Sequence, residues 1–221
     1  MKIRAIITGA TGMVGEGMLY ECLRHNDVEA VLIVNRRASG FTHPKLKEII
    51  HEDFFNLTPI ADELKGYNAC YFCLGVTSIG LKEPAYTHLT YDLTMGFATL
   101  LATQNPGMIF CYVSGSGTDN TEKGRSMWAR VKGRTENDLM KLSFSHAYMF
   151  RPGYMHSHEG LKNTQKYYKY LFWMYPILRV LFPQFVCTLR ELGLAMINVT
   201  LRGYNKQILE VKDIVKLAND K

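Results

Sequence analysis

Short apolar runs alternate with longer amphipathic stretches from the third residue to about residue 153. The runs IRAIIT (3–8), AVLIVN (30–35), LKEIIHE (46–52), ACYFCLG (69–75), MIFCYVS (108–114) and HAYMFRP (146–152) predict strands. Helical spacing predicts helices near 13–25, 57–65, 84–104 and 122–143. Strands that alternate with helices imply a parallel sheet covered on both faces, because parallel neighbours need long crossovers. With right-handed crossovers, the expected fold is a doubly wound α/β sheet of Rossmann type. Past residue 153 the rhythm breaks into helical segments, with prolines at 176 and 183. Residues 154–205 are expected to form a small, mostly helical cap over the carboxyl edge of the sheet, within a single domain spanning 1–221.

Composition narrows the function classes. The chain has 221 residues, 47% hydrophobic and 21% charged, as a globular domain with its own core should. The net charge of +6 could serve an anionic partner, but the basic residues are scattered. Without a basic run, nucleic acid is not an expected partner, and a small phosphorylated ligand is. The longest apolar stretch, YLFWMYPILRVLF (170–182), is interrupted by Pro176 and Arg179 and is shorter than the ~20 residues a membrane span needs. No stable membrane insertion is expected. The apolar run before the first glycines is too short for a signal peptide, so the expected location is cytoplasmic. The pattern leaves room for a homo-oligomer.

Cys70 and Cys73 form a CxxC inside an apparent buried strand. Residues three apart on a strand point to opposite faces, so this pair is not expected to hold a metal or close a disulfide.

The first strand runs directly into TGATGMVGEG, which spaces Gly9, Gly12 and Gly15 three apart. Gly9 permits a tight turn, Gly12 lets backbone approach a pyrophosphate, and Gly15 lets the helix pack closely. Ala10, Thr11, Met13 and Val14 complete the loop and the helix start, where free N–H groups favour an anion. The second strand ends in Asn35, Arg36 and Arg37 rather than in a carboxylate. Arginine's planar fork suits a 2′-phosphate, which favours NADP over NAD. Asp53 and Phe54 end the third strand beside the expected adenine position, and Leu74 and Gly75 end the fourth.

In chain order, TGATGMVG, NRR, DF, CLGVT, VSGSGTD, VKG and FRPG fall at the ends of successive elements. With them the chain resembles the atypical short-chain dehydrogenase/reductase superfamily, in the branch of the Tat-interacting oxidoreductase and epimerase-like proteins. The likeness covers nearly the whole chain and implies an NAD(P)-binding oxidoreductase. It also implies a serine after the fifth strand and a Tyr-x-x-x-Lys on the next helix, the lysine holding the nicotinamide ribose and lowering the phenol's pKa. The lysine carries over to Lys132, but the tyrosine's place is taken by Trp128. An indole N–H donates a hydrogen bond and does not transfer a proton. No lysine in the chain has a tyrosine four residues before it. In VSGSGT the serine role falls to Ser114 or Ser116, whose other reading is a hydroxyl capping the strand end. Pro152 and Gly153 of FRPG are expected against the cofactor. Tyr154, His156 and His158 are candidate substitute acids, and no third metal ligand accompanies the His-x-His pair. Two function classes follow: an NADP-dependent enzyme acting on a small carbonyl or alcohol, or a non-catalytic cofactor-binding sensor or interaction module.

Overall fold

The computed structural model describes residues 1–157, 161 and 175–220. Six strands fall where the apolar runs place them: β1 (Ile3–Thr8), β2 (Val28–Asn35), β3 (Leu46–Ile50), β4 (Ala69–Phe72), β5 (Ile109–Val113) and β6 (His146–Arg151). The seven-stranded sheet runs β3-β2-β1-β4-β5-β6-β9, and every pairing in it is parallel. The order reverses between β1 and β4, which opens a crevice at their carboxyl ends.

Connections follow the expected periods. α1 (Met13–Arg24) leaves the glycine loop, and a 3₁₀ helix (Thr58–Leu64) joins β3 to β4. The predicted helix 84–104 forms as α2 (Glu83–Thr87), a π turn (His88–Asp92) and α3 (Leu93–Gln104). α4 (Met127–Leu139) carries Trp128 and Lys132.

Alternate strand residues feed opposite core layers. Ala5, Ile7, Ile33, Tyr71 and Cys111 join one layer, and Ile6, Leu32, Cys70, Phe72 and Phe110 the other. Cys70 and Cys73 accordingly pack into different layers, and all five cysteines are free.

The remaining segments are α5 (Tyr175–Leu181), α6 (Leu189–Arg202), α7 (Val211–Asn219) and three short strands, β7 (Tyr154–His156), β8 (Val186–Thr188) and β9 (Ile208–Glu210). β7 and β8 form a separate parallel pair, while β9 adds a seventh strand beside β6. Within the stretch expected as a cap, residues 189–202 serve the core instead. Leu192, Ala195, Met196 and Val199 of α6 are buried in the layer that also holds Met18 and Leu19 of α1. Tyr71 of β4 donates its phenol to Thr200 Oγ1 at 3.1 Å, tying α6 to the sheet centre. A capping box starts α6: Thr188 Oγ1 accepts from the Glu191 N–H at 3.0 Å, and the Glu191 carboxylate accepts from the Thr188 N–H at 2.7 Å. No described helix is long and apolar enough to cross a membrane.

Candidate functional site

The glycine loop is built by two close approaches. Gly9 turns with φ +71°, and a Cβ there would stand 2.9 Å from the Cys73 carbonyl and the Leu74 nitrogen. A Cβ on Gly15 would stand 2.2 Å from the Gly9 carbonyl oxygen. The loop therefore lies flat against the end of β4, and α1 starts immediately above it with Gly12 as its N-cap. Open N–H groups and the helix dipole at that end favour negative charge.

Connected cavities follow from this loop along the carboxyl edge. One of about 200 Å³ takes its walls from Gly9, Thr11, Asn35, Arg36, Phe54 and Leu74. A larger one, about 720 Å³, shares Gly12, Cys73, Leu74 and Gly75 with it and extends past Met13 and Val14 to Ser114, Lys132 and Pro152. A cleft of about 570 Å³ opens outward between Thr11, Arg36, Arg37 and Glu52. Backbone fills the Cβ positions of Gly9 and Gly15, whereas at Gly12, on the wall of both cavities, a Cβ would meet only the Gly9 oxygen at 3.4 Å, which leaves the loop open to a phosphate-bearing ligand.

At the outer end, Asn35 is buried and donates its amide to Glu48 Oε1 at 3.0 Å, which leaves Arg36 and Arg37 exposed. Neither arginine is ion-paired among the described residues. A carboxylate does stand beside the arginines, because Glu52, just past β3, lines the same cleft. Neighbouring parallel strands end side by side, so the charge arrives from a strand that periodicity does not link to NRR. Asp53 and Phe54 line a smaller cavity of about 100 Å³ with Leu89 and Leu93. The Asp53 carboxylate accepts from the Phe55 N–H at 2.9 Å, and the Phe54 ring is buried against Phe97.

At the inner end stands Lys132. Its Nζ donates to the Ser114 carbonyl at 2.6 Å, and the ammonium lies 5.8 Å from the centre of the Tyr112 ring. Burial pulls its pKa down to about 8, against an opposing pull from the Glu136 charge. The Ser114 hydroxyl donates to the Phe150 carbonyl at 3.1 Å, so it closes the strand ends rather than facing a ligand freely. Trp128, one turn before Lys132, does not line the cavity; its indole edge packs over Gly117, where a Cβ would stand 3.7 Å from Cη2.

Several expected site residues lie elsewhere. Ser116 is held by its own N–H, which donates to the Pro152 carbonyl at 2.9 Å, and it does not line the large cavity. Ala10 is wholly buried in the core. Gly153 meets the Phe185 carbonyl, 2.2 Å from where its Cβ would be, and serves the β7–β8 contact. Tyr154 does not line the large cavity either, because β7 turns its middle residue, Met155, into the wall. Tyr154 and His156 share the other face of that strand, where His156 stacks on Tyr175 with ring centroids 3.8 Å apart. His158 and residues 166–174 of the aromatic segment fall outside the described residues. Sequence reasoning missed Glu52, Cys73, Thr77 and Met155 in the cavity walls. Cys73 and Thr77 carried a signal, as the two ends of CLGVT, and Glu52 as the last residue of LKEIIHE.

The VKG glycine also has a structural reason. A Cβ on Gly133 would stand 1.8 Å from the Asp119 carbonyl oxygen, so the loop from VSGSGTD crosses α4 in direct backbone contact. Asp119 folds that loop by accepting from the Thr121 and Gly124 N–H groups at 3.0 and 2.7 Å.

No family model matches the chain. Among curated proteins, the mitochondrial protein FMP52-2 of Scheffersomyces stipitis is 28% identical over 154 residues, covering 69% of this chain and 66% of that one. Protein HTATIP2 of Rattus norvegicus is 28% identical over 149 residues, covering 66% of this chain and 60% of that one. The matched stretch thus spans less than two-thirds of either relative. A solved dTDP-glucose 4,6-dehydratase, DesIV of Streptomyces venezuelae with NAD bound, superposes with a TM-score of 0.66. It is 12% identical and covers 98% of this chain and 80% of its own. The chain is thus similar to FMP52-2 and HTATIP2 in sequence, and the DesIV superposition shows that it shares that enzyme's fold. For a chain of this likeness the expected cytoplasmic location is overturned. The FMP52 relatives of Scheffersomyces stipitis, Meyerozyma guilliermondii and Candida albicans are all named as mitochondrial.

Proposed function

We propose that the chain is an NADP-dependent oxidoreductase of the short-chain type, acting on a small carbonyl or alcohol. The observation that carries the proposal is the position of Lys132, on the wall of the same cavity of about 720 Å³ that Gly12, Met13 and Val14 of the glycine loop line. Gly9, Thr11, Gly12, Met13 and Val14 would hold the pyrophosphate, Arg36 and Arg37 the 2′-phosphate, and Asp53, Phe54, Leu74 and Gly75 the adenine side. Lys132 and Pro152 would hold the nicotinamide half. The NAD bound in the DesIV structure supports a nicotinamide cofactor of this class. Such a cofactor supplies or accepts hydride when bound; the chain's own groups orient it, keep water out and manage the proton.

The 2′-phosphate assignment has a direct test. A charge-assisted phosphate contact contributes ~1.5–3 kcal/mol, enough for NADPH to bind about tenfold more tightly than NADH. Alanine at both Arg36 and Arg37 should erase the gap, and Glu52→Gln should widen it by removing the opposing charge. Overlapping fluorescence titrations for the two cofactors on the unmodified protein would refute the assignment.

A second reading is favoured by Trp128 and by the absence of any tyrosine from the described walls of the large cavity. On that reading the chain binds the dinucleotide without turnover and reports it to a partner. A panel of small aldehydes and ketones with NADPH separates the two: reduction of any of them sustains the enzyme, and binding without reduction sustains the module.

A further inference from the structure

We propose that Lys132 is itself the proton donor to the substrate oxygen, in the role the family gives to the tyrosine that Trp128 displaces. The proposal rests on the oxidoreductase reading and concerns one atom of it, the lysine Nζ.

Among the described residues of the large cavity's wall, only Cys73 and Lys132 bear ionisable side chains. Burial pushes the Cys73 thiol up to about 12, too weak an acid for neutral pH. The Ser114 hydroxyl is committed to the Phe150 carbonyl. Tyr154 and His156 lie on the face of β7 opposite Met155, away from the wall.

The lysine's own setting then makes it suitable. Its Nζ donates to the Ser114 carbonyl at 2.6 Å and to the Val113 carbonyl at 3.5 Å, which leaves a third N–H to be aimed. The Tyr112 ring of β5 lies beneath it, and Glu136, one turn on, is the charged group that acts on it. Glu136 is itself held by Arg151 of β6 at 2.5 Å, so its pull on the lysine is shared. Desolvation wins, and the ammonium becomes an acid with a pKa of about 8, near the value a general acid needs at neutral pH.

The carbonyl carbon takes hydride from a reduced nicotinamide dinucleotide and forms the new C–H bond. The C=O π pair moves onto oxygen, and oxygen takes a proton from Nζ. That N–H bond breaks, its electrons stay on nitrogen as the neutral amine, and the amine recovers a proton from water. Reduction needs the ammonium, so its rate is level below pH about 8 and falls above it. Oxidation of the alcohol needs the amine and rises up to the same pH.

The test uses the full chain. Competitive acetylation of the cofactor-free protein by acetic anhydride, followed by mass spectrometry, reads the titration of Lys132; the expected midpoint is about pH 8. Lys132→Arg keeps a cation for the ribose but not a transferable proton. It should bind NADPH within about threefold of the parent while aldehyde reduction falls about 100-fold or more, the usual worth of a general acid. A midpoint near that of ordinary lysines overturns the proposal. So does reduction by the arginine variant at the parent's rate, which leaves the oxidoreductase reading standing. No reduction by the parent of any aldehyde or ketone in the panel overturns both.

Discussion

Replacing Glu136 with leucine is expected to destabilise the protein by about 3–5 kcal/mol, the usual result of removing one partner from a buried ion pair. Glu136 is wholly buried on α4 and accepts from Arg151 Nε at 3.1 Å and Nη2 at 2.5 Å. Asn120 donates to the same carboxylate at 2.9 Å and accepts from Arg151 in turn. Removal of the carboxylate would leave the Arg151 cation with Glu210, 3.2 Å away but 43% exposed. The network joins α4, β6, β9 and the loop that crosses Gly133, so the loss should be cooperative. Urea unfolding monitored by circular dichroism measures it, and Glu210→Gln, which removes the charge but keeps an acceptor for the α7 N-cap, provides the contrast, with a loss of about 1 kcal/mol or less expected. A Glu136→Leu midpoint equal to the parent's would show that the pair contributes no net stability.

Gly15→Ala is expected to abolish dinucleotide binding, by about 100-fold or more, and to lower stability with it. The added methyl would stand 2.2 Å from the Gly9 oxygen and 2.8 Å from the Ala10 nitrogen. Both are backbone atoms with no rotamer to yield, so the start of α1 must withdraw from the loop and carry its N–H groups away from the phosphates. Gly12→Ala is the informative companion. Its Cβ would meet only the Gly9 oxygen, at 3.4 Å, so the fold should persist while a bound pyrophosphate loses its close approach. Thermal melts with and without NADPH separate the two effects. A Gly15→Ala protein that binds NADPH like the parent would mean that α1 does not meet the loop as closely as the structure has it.

Much of the fold is legible in the sequence. β1, β2, β4 and β5 read as nearly unbroken apolar runs because each is covered on both faces, and the runs ended within two or three residues of the observed strand ends. The glycine spacing placed α1 to within one residue. β7, β8 and β9 escaped notice because three residues are too few to show a period. The misassigned part of the cap has a different cause. α6 is amphipathic whether it covers a site or a core, and only its packing against α1 and the Tyr71–Thr200 hydrogen bond tell the two apart.

The candidate site divides in the same way. The glycine loop, the paired arginines and the exchange of tyrosine for tryptophan are properties of neighbouring residues, so the sequence by itself determined them. Local geometry and side-chain chemistry act over a few residues, and the chain states those directly. Tertiary structure alone decided that Glu52 enters the arginine cleft, that Met155 rather than Tyr154 or His156 faces the cavity, and that burial lowers the pKa of Lys132. Each of these depends on strand register or burial between segments distant in the chain. A shift of one residue in register reverses every side chain of a strand, and no local pattern in three residues of β7 records which way it falls.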